Sequence, residues 1–350
     1  MSARVAILGA TGAVGREMRR QLLQRNFPLD GDPVLLASAR SAGATVTFGS
    51  RELTVQEVSK DAFKDVDIAL FSAGATRSRE WADVAVEAGA VVVDNSSAFR
   101  RDNDVPLVVS EVNPEAAKNR PRGIIANPNC TTMVLMVPAK PLHDAFGLTS
   151  MVTTSFQAAG GAGQSGIDEL MDMTRRLSGD AEALRSDGEA VEQAAQDGAQ
   201  VFSKPLAMNV LAHCGSFTDE RYTDEEWKLV NESRKILELP ELAVAPTCVR
   251  VPVVVGHSIA TRMTFTKPVT RAAVLDALSA APGMQIVDGV GGDEALSYPT
   301  PLAAAGQDDV FVGRIREDIH DPNSINLFVV GDNLLKGAAL NTVQIAELLV

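Results

Sequence analysis

A chain of 350 residues with 45% hydrophobic and 22% charged residues, 27 Gly and 17 Pro has the balance of a folded globular protein. Its length exceeds what one hydrophobic core usually serves and points to two domains. Lys plus Arg number 32 against 45 Asp plus Glu, a net charge of −13 that excludes polyanion binding by bulk charge, so neither nucleic acid nor an anionic membrane is an expected partner.

The N-terminal MSARVAILG leads straight into a glycine-rich turn without a cleavage-type signal, and no apolar run approaches the roughly 18 residues of a membrane helix, which implies a cytoplasmic protein. Residues 4–8 read as a buried strand. Val14, Met18 and Leu22 then recur every four residues, the stripe of a helix packed on a sheet. Further strands are expected at 34–37, 46–48, 68–71 and 91–93, with a helix over 79–88. Short β-branched runs alternating with helical periodicity predict an α/β fold, an N-terminal Rossmann-like doubly wound parallel sheet.

A change follows near Asn127. In NPNCTTMVLMVPAKPLHDAF, Asn129 precedes the first turn of a helix that Pro138 is expected to end or kink. SMVTTSFQA is strand-like, residues 163–199 are polar and helix-rich, and 247–266 alternate as strands, together an α+β second domain. The terminal NLLKGAALNTVQIAELLV reads as an amphipathic helix returning to the first sheet. The expected division is 1–128, 129–328 and 329–350.

The turn GATGAVG carries Gly9, Thr11, Gly12, Ala13, Val14 and Gly15 between a strand and a helix. Glycines there allow a tight turn and close approach of backbone N–H groups to a pyrophosphate at a helix N-terminus. The spacing is GxxGxxG rather than the commoner GxGxxG, and the alternative is a plain βα turn. At the end of the second strand an NAD site usually places an acid, whereas PVLLASARS offers Ser38, Arg40 and Ser41, which suit a 2′-phosphate and so NADP. The alternative for Arg40 is a solvated loop charge.

Three cysteines, Cys130, Cys214 and Cys248, are odd in number and far apart, fitting neither a disulfide framework nor a CxxC metal site. No metal is expected, and free thiols imply a reducing compartment. Cys130 stands where a helix should start, so the helix dipole is expected to lower its pKa, and its polar neighbours Asn129, Thr131 and Thr132 argue against an inert core thiol. Cys214 and Cys248 read as structural. Thiolate acyl transfer needs an acid/base, for which His257 is the candidate among four histidines, at the end of CVRVPVVVGHS. Strict alternation along that strand puts Arg250 and His257 on opposite faces, so a bend or bulge at Pro252 or Gly256 is required to unite them.

GATGAVG, ASARS, DNSSAFR, NPNCTT, FQA, CVRVPVVVGHS and GDNLLKGAALNTVQIAE, in this order, resemble aspartate-β-semialdehyde dehydrogenase of the bacterial type from end to end. Residues 161–205 match least clearly. The resemblance implies NADPH-dependent reductive dephosphorylation of L-4-aspartyl phosphate to L-aspartate 4-semialdehyde and phosphate, the second step toward lysine, threonine and methionine. It implies Cys130 as nucleophile, His257 as acid/base and Gln157 as the residue orienting the reacting group. Arg250 matches the arginine that holds the α-carboxylate, Glu225 the carboxylate that receives the amino group, and Arg100 and Lys228 the cations that bind phosphate, with Asn129 beside the nucleophile. For the cofactor, Ser38, Arg40 and Ser41 match the 2′-phosphate cluster, Ala73, Gly74 and Thr76 a loop lining the dinucleotide, and Asn333 a residue near the nicotinamide. Gly160 departs from the family, which often reads QAVSGAG where this chain reads QAAGGAG. The family also implies a homodimer through the second domain.

Two other enzymes share this plan. N-acetyl-γ-glutamyl-phosphate reductase acts on an acylated amine without positive charge, which gives Glu225 less purpose. Glyceraldehyde-3-phosphate dehydrogenase usually ends its cofactor strand in an acid. A catalytically inactive NADP-sensing module is the reading from a different class, and it has no need of the whole set Cys130, Gln157, Arg250 and His257.

Overall fold

A computed structural model describes residues 1–179, 181–289 and 297–350. Residue 180, in the stretch expected to be helix-rich, and residues 290–296 of the second domain lie outside the described residues.

The first sheet takes β1 (Val5–Leu8), β2 (Val34–Ala37), β5 (Gln56–Glu57), β6 (Ile68–Phe71), β7 (Val91–Asp94) and β8 (Ile124–Ala126), with β3 (Thr45–Phe48) and β4 (Arg51–Thr54) forming a separate hairpin. Strand order is β5-β2-β1-β6-β7-β8, with every pairing parallel. Order reverses beside β1, which opens a crevice at the carboxyl ends of β2, β1 and β6, where the fold binds nucleotides. Alternate residues of β1 face opposite layers. Val5 and Ile7 pack with Met18 and Leu22 of α1 (Ala13–Gln24), whereas Ala6 and Leu8 pack in the core shared with Ala82 and Ala85 of α2 (Ala75–Glu87). Full burial of Met18 and Leu22 contributes about 1.5–3 kcal/mol each.

Helix α3 (Cys130–Phe146) leaves the carboxyl edge of this sheet and leads into the second, whose order is β10-β9-β11-β14-β13-β12. These strands are β9 (Leu148–Gln157), β10 (Ala243–Arg250), β11 (His257–Phe265), β12 (Met284–Ile286), β13 (Val310–Glu317) and β14 (Ser324–Gly331). The sheet is mixed, β10 being parallel and β11 antiparallel to β9. Helices α4 (Gln164–Leu177), α5 (Ala181–Ser186) and α6 (Gly188–Ala195) occupy the polar helix-rich stretch, and α7 (Asp224–Ile236) follows it. The chain closes with α8 (Arg271–Ser279), α9 (Pro301–Ala304), a π-helical turn at Leu335–Ala339 and α10 (Leu340–Glu347). Ala339, Val343 and Ala346 join the core of β1 and α1, so the terminal helix does return to the first sheet.

Four local expectations are corrected. Pro138 does not end α3: it and Pro141 lie inside the helix, which runs on to Phe146, because the segment from Thr131 to Ala139 is buried and packing outweighs the lost N–H groups. Helix α2 begins at Ala75 rather than near residue 79, released by Gly74 at φ 84°. The strand at 46–48 pairs in the hairpin and not in the parallel sheet. CVRVPVVVGHS is two strand ends joined by a crossing segment, not one bent strand. Among the described residues, no helix is long and apolar enough to cross a membrane, and no group of three or more His, Cys, Asp or Glu is arranged to hold a metal ion.

Candidate active site

Asn129 holds an extended backbone (φ −61°, ψ 143°) and caps α3, its side-chain oxygen accepting from the N–H groups of Thr131 at 3.0 Å and Thr132 at 3.2 Å. Its amide donates to Glu225 at 2.8 Å and its backbone N–H donates to Glu232 at 2.6 Å. The turn carrying Cys130 is therefore clamped by α7.

Three strand ends converge opposite this turn. Gln157 ends β9 and pairs in register with Arg250 at the end of β10, while His257 opens β11 on the other side of β9. Between them residues 251–256 cross over the end of β9, with Pro252 in the crossing. Gly256 (φ 98°) donates to Asn333 Oδ1 at 2.9 Å and lies so near Pro301 that a Cβ would come within 2.9 Å of its Cα. Crossing the strand, rather than bulging within one, brings Arg250 and His257 to one edge.

Cys130 Sγ lies 3.2 Å from His257 Nε2, and His257 Nδ1 accepts the N–H of Ala158 at 3.0 Å. Arg250 donates to the Ala158 carbonyl at 2.8 Å. Glu225 also accepts from Gln157 at 3.3 Å and Lys228 at 3.0 Å, and Lys228 pairs with Asp224 at 2.8 Å. Arg100 is buried, donating to the carbonyls of Asn127 at 2.8 Å and Asn95 at 3.0 Å and pairing with Glu232 at 3.2 Å. A cleft of about 340 Å³ is lined by Cys130, Asn129, Gln157, Arg100, Glu225, Lys228 and Arg250, and by three residues of the cofactor set, Val14, Gly160 and Asn333.

Burial pushes the Cys130 thiol up to about 11, with Glu225 adding to the shift and Arg100 and Arg250 opposing it. The lowering expected from the helix terminus is thus overturned by desolvation and a nearby carboxylate. Burial would raise Glu225 as well, but Lys228, Asn129 and Arg250 more than offset it and hold that carboxyl at about 2. His257 is brought down to about 3 by burial and then by Arg250, against the pull of Glu225. Because the thiolate fraction rises tenfold per pH unit below the raised pKa and levels off only above it, alkylation of ligand-free Cys130 by iodoacetamide should climb roughly tenfold per pH unit from about pH 8 to 10 without a plateau. Mass spectrometry of the labelled peptide measures this, and a plateau near pH 7 would contradict it.

The remaining cofactor residues lie along the crevice edge. Gly9 takes φ 92° with no room for a side chain, since a Cβ would come within 2.6 Å of the Ser72 carbonyl oxygen, and one on Gly15 within 2.2 Å of that of Gly9. Gly12 is the N-cap of α1 and gives no side-chain cap, and no acid stands in the first turn, so the N–H groups after Thr11, at Ala13 and beyond, suit an anion. Ser38, Arg40 and Ser41 follow β2, the first two exposed, and Ala73, Gly74 and Thr76 follow β6 on the other side of β1. Asn333 Nδ2 is buried without a hydrogen-bond partner and belongs to the cleft wall, where a carboxamide carbonyl could accept from it. Loop, helix terminus and this amide fit a nicotinamide dinucleotide.

Two semialdehyde dehydrogenase family models match the chain, the NAD-binding domain over residues 4–120 and the dimerisation domain over 139–336. Aspartate-semialdehyde dehydrogenase of Streptomyces akiyoshiensis is 50% identical over 347 residues, covering 99% of this chain and 98% of its own. The Corynebacterium glutamicum enzyme is 48% identical over 353 residues, with 99% of each chain covered. The chain belongs to the aspartate-semialdehyde dehydrogenase family. Among solved structures, aspartate semialdehyde dehydrogenase II of Vibrio cholerae, complexed with ASA, superposes with a TM-score of 0.90 at 44% identity over 100% of this chain and 98% of that one. The Candida albicans aspartate semialdehyde dehydrogenase, solved with NADP, gives 0.71 at 26% identity, covering 100% and 98%.

Within this family member, Gly160 is explained by packing: a Cβ there would lie 2.9 Å from the Val254 carbonyl oxygen and 3.5 Å from Asn333 Nδ2. Three residues of the site were not singled out from sequence. Glu232 lies seven residues after Glu225 on one helix face, a spacing that signals a shared role. Gly161 leaves no room for a side chain beside Arg250, and Gly337 none beside Cys130. Such close approaches carry no signal in a single sequence.

Proposed function

We propose that the chain reduces L-4-aspartyl phosphate to L-aspartate 4-semialdehyde and phosphate with NADPH, in the pathway to lysine, diaminopimelate, threonine and methionine. The observation that carries this reading is the 3.2 Å Cys130–His257 contact in a cleft walled by Arg250, Arg100, Lys228 and Glu225. Those charges complement the substrate group by group. The planar fork of Arg250 suits the α-carboxylate, Glu225 the ammonium, and Arg100 with Lys228 the phosphate. Cys130 attacks the acyl carbon and expels phosphate, forming a thioester. Gln157 orients the reacting group, Asn129 binds the substrate beside it, and His257 acts as acid/base on the oxygen whose charge changes.

The dinucleotide, when bound, supplies the hydride that reduces the thioester carbon. Gly9, Thr11, Gly12, Ala13, Val14 and Gly15 would hold its pyrophosphate, Ala73, Gly74 and Thr76 would line it, and Asn333 and Gly160 would flank the nicotinamide. Ser38, Arg40 and Ser41 would take the 2′-phosphate. Replacing Arg40 by Ala should raise KM for NADP roughly tenfold, the worth of one lost charge-assisted hydrogen bond, and leave KM for NAD unchanged. Initial-rate kinetics with both cofactors measure this, and equal use of NAD and NADP by the parent protein would contradict the assignment.

In this reading residues 1–128 bind NADP, 129–328 carry catalysis and a homodimer contact, and 329–350 pack back on the first domain of a cytoplasmic enzyme. N-acetyl-γ-glutamyl-phosphate reductase is disfavoured by buried Glu225, which would face an uncharged acylated amine. The test is adduct formation without NADPH. L-4-aspartyl phosphate should leave an aspartyl thioester on Cys130 by intact mass, and N-acetyl-γ-glutamyl phosphate none. The opposite preference would overturn the reading, and no adduct from either would favour the sensing module.

A further inference from the structure

We propose that Lys336 and Glu111 are positioning residues: their buried ion pair sets the π-helical turn that holds Cys130 and the Asn333 amide in one fixed relation. The inference rests on the reading of Cys130 as nucleophile and Asn333 as nicotinamide neighbour given above. The turn at Leu335–Ala339 touches both sides of that reaction. Asn333, just before it, accepts from Gly256 N–H at 2.9 Å and leaves Nδ2 unpartnered in the cleft wall. Gly337, four residues on, stands so close to Cys130 that a Cβ would come within 2.8 Å of the cysteine Cβ. A shift of this turn therefore moves the support of the thiol and the amide together. π-helical turns are rare, and they concentrate at functional sites.

Between these two contacts the Lys336 side chain is fully buried and reaches the segment that joins β7 to β8. Its ammonium pairs with Glu111 and donates to Gln344 at 2.9 Å and Ser110 at 3.3 Å. The partners hold one another. Gln344 donates to the other Glu111 oxygen at 2.9 Å, and Ser110 N–H donates to Asn341 at 3.0 Å. Asn341 donates to Asn127 Oδ1 at 2.6 Å, and Asn127 Nδ2 donates to the Ala338 carbonyl at 3.2 Å, which closes the network back on the turn. At the start of the turn the Asp332 carboxylate accepts from Leu334 N–H at 2.8 Å and from Gly306 N–H at 2.8 Å. The turn is thus pinned to the second domain at one end and to the first through Lys336.

Stability is a weak reason for such a pair. Desolvation of both charges cancels much of their attraction, and well-packed neutral residues of similar volume commonly serve a fold as well. What neutral residues do not supply is direction, because a fully satisfied charged network rigidifies one geometry. That matters where an offset of about 1 Å can cost 10²-fold in rate. Lys336 itself does not border the cleft, so its part in the reaction is exerted through Asn333 and Gly337.

The test separates activity from stability in the full-length protein. Lys336→Met and Glu111→Gln each leave one buried charge without its partner and should melt well below the parent, whereas the double variant carries neither charge and should melt near it. With NADP and L-aspartate 4-semialdehyde but no phosphate, the first-turnover rate of NADPH formation in the double variant should fall at least about tenfold, with NADP affinity unchanged. A parent-like first turnover there would overturn the proposal, since a merely structural pair returns its activity with its stability. The second readout is amide hydrogen exchange in the free protein. Gly337 and Ala339 N–H are held by the Asp332 and Leu334 carbonyls at 2.9 and 3.0 Å, and their exchange should quicken at least about tenfold in the double variant while the amides of β1 keep theirs. No quickening in the turn, or equal quickening everywhere, would overturn the proposal. Should the double variant not fold, Glu111→Asp, which keeps both charges and withdraws the anchor by one methylene, is read in the same two assays. A wrong substrate assignment would show instead as a parent protein without turnover whose exchange pattern still responds to the double substitution.

Discussion

Replacement of Cys130 by Ala should lower NADP reduction with aspartate semialdehyde and phosphate by at least about 10⁴-fold, the order seen when a covalent nucleophile is removed. The size of the effect follows from the surroundings. Arg100, Gln157, Glu225 and Arg250 surround the cleft, but none of them supplies a second nucleophile, so binding without acyl transfer is what remains. NADP affinity, followed by fluorescence titration, should hold, because the glycine loop and the Arg40 cluster do not depend on the thiol. Residual turnover above one per cent of the parent would place the covalent step elsewhere. Cys214 and Cys248 do not offer a substitute: both are buried, and burial pushes Cys214 up to about 12 and Cys248 higher still.

Gly337→Ala should cut kcat about 10²-fold while the protein stays folded, the cost of displacing a reacting atom by about 1 Å. A Cβ at this position would come within 2.8 Å of Cys130 Cβ and 3.2 Å of its Cα. The π-helical turn cannot retreat. Lys336, fully buried, pairs with Glu111 and donates to Gln344 at 2.9 Å, and Gly337 N–H is held by the Asp332 carbonyl at 2.9 Å. The strain therefore falls on the nucleophile turn, with a stability loss of about 1–3 kcal/mol. Circular dichroism and thermal melting establish that the fold survives, and steady-state kinetics read kcat. An unchanged kcat in a folded variant would show that Gly337 does not position Cys130.

The parts legible in the sequence are those that local chemistry dictates. Alternation of short apolar runs and a four-residue stripe predicted β1, α1, β2, β6 and β7 within a few residues, since the strands are buried on both faces and α1 buries one continuous stripe. Asn129 announced itself as a cap through residue type and position, and its side chain does accept from Thr131 and Thr132. What depends on tertiary context was not legible. Pro138 reads as a helix breaker until α3 is seen packed on β9, β11 and β14 and against α7 and α8. Arg250 and His257 read as opposite-facing residues of one strand that must bend, until the chain is seen to cross β9 between them. The Cys130 pKa reads as lowered from the helix terminus alone, because desolvation and Glu225 enter only when the cleft is assembled. Arg100 reads from the resemblance as a phosphate-binding cation, and the structure buries it on Glu232, a residue that residue type alone did not mark.

An acidic chain that acts on anions must gather its cations locally, and four placed ones, Arg40, Arg100, Lys228 and Arg250, stand along the crevice and cleft. Arg100 is tied to Glu232 and Lys228 to Glu225, which keeps the cleft from being an indiscriminate anion trap; Lys228 is shared with Asp224, so Glu225 retains negative charge for an ammonium. That pairing makes a free α-amino group the feature that separates substrates. The most direct measurement is the specificity constant kcat/KM for NADP reduction, with phosphate, on L-aspartate 4-semialdehyde against N-acetyl-L-glutamate semialdehyde. The expected result is a preference of at least about 10³-fold for the free amine, since an acylated amine offers Glu225 no positive charge and leaves a polar contact of the cleft unmade. Equal constants, or a preference for the acylated amine, would contradict the assignment.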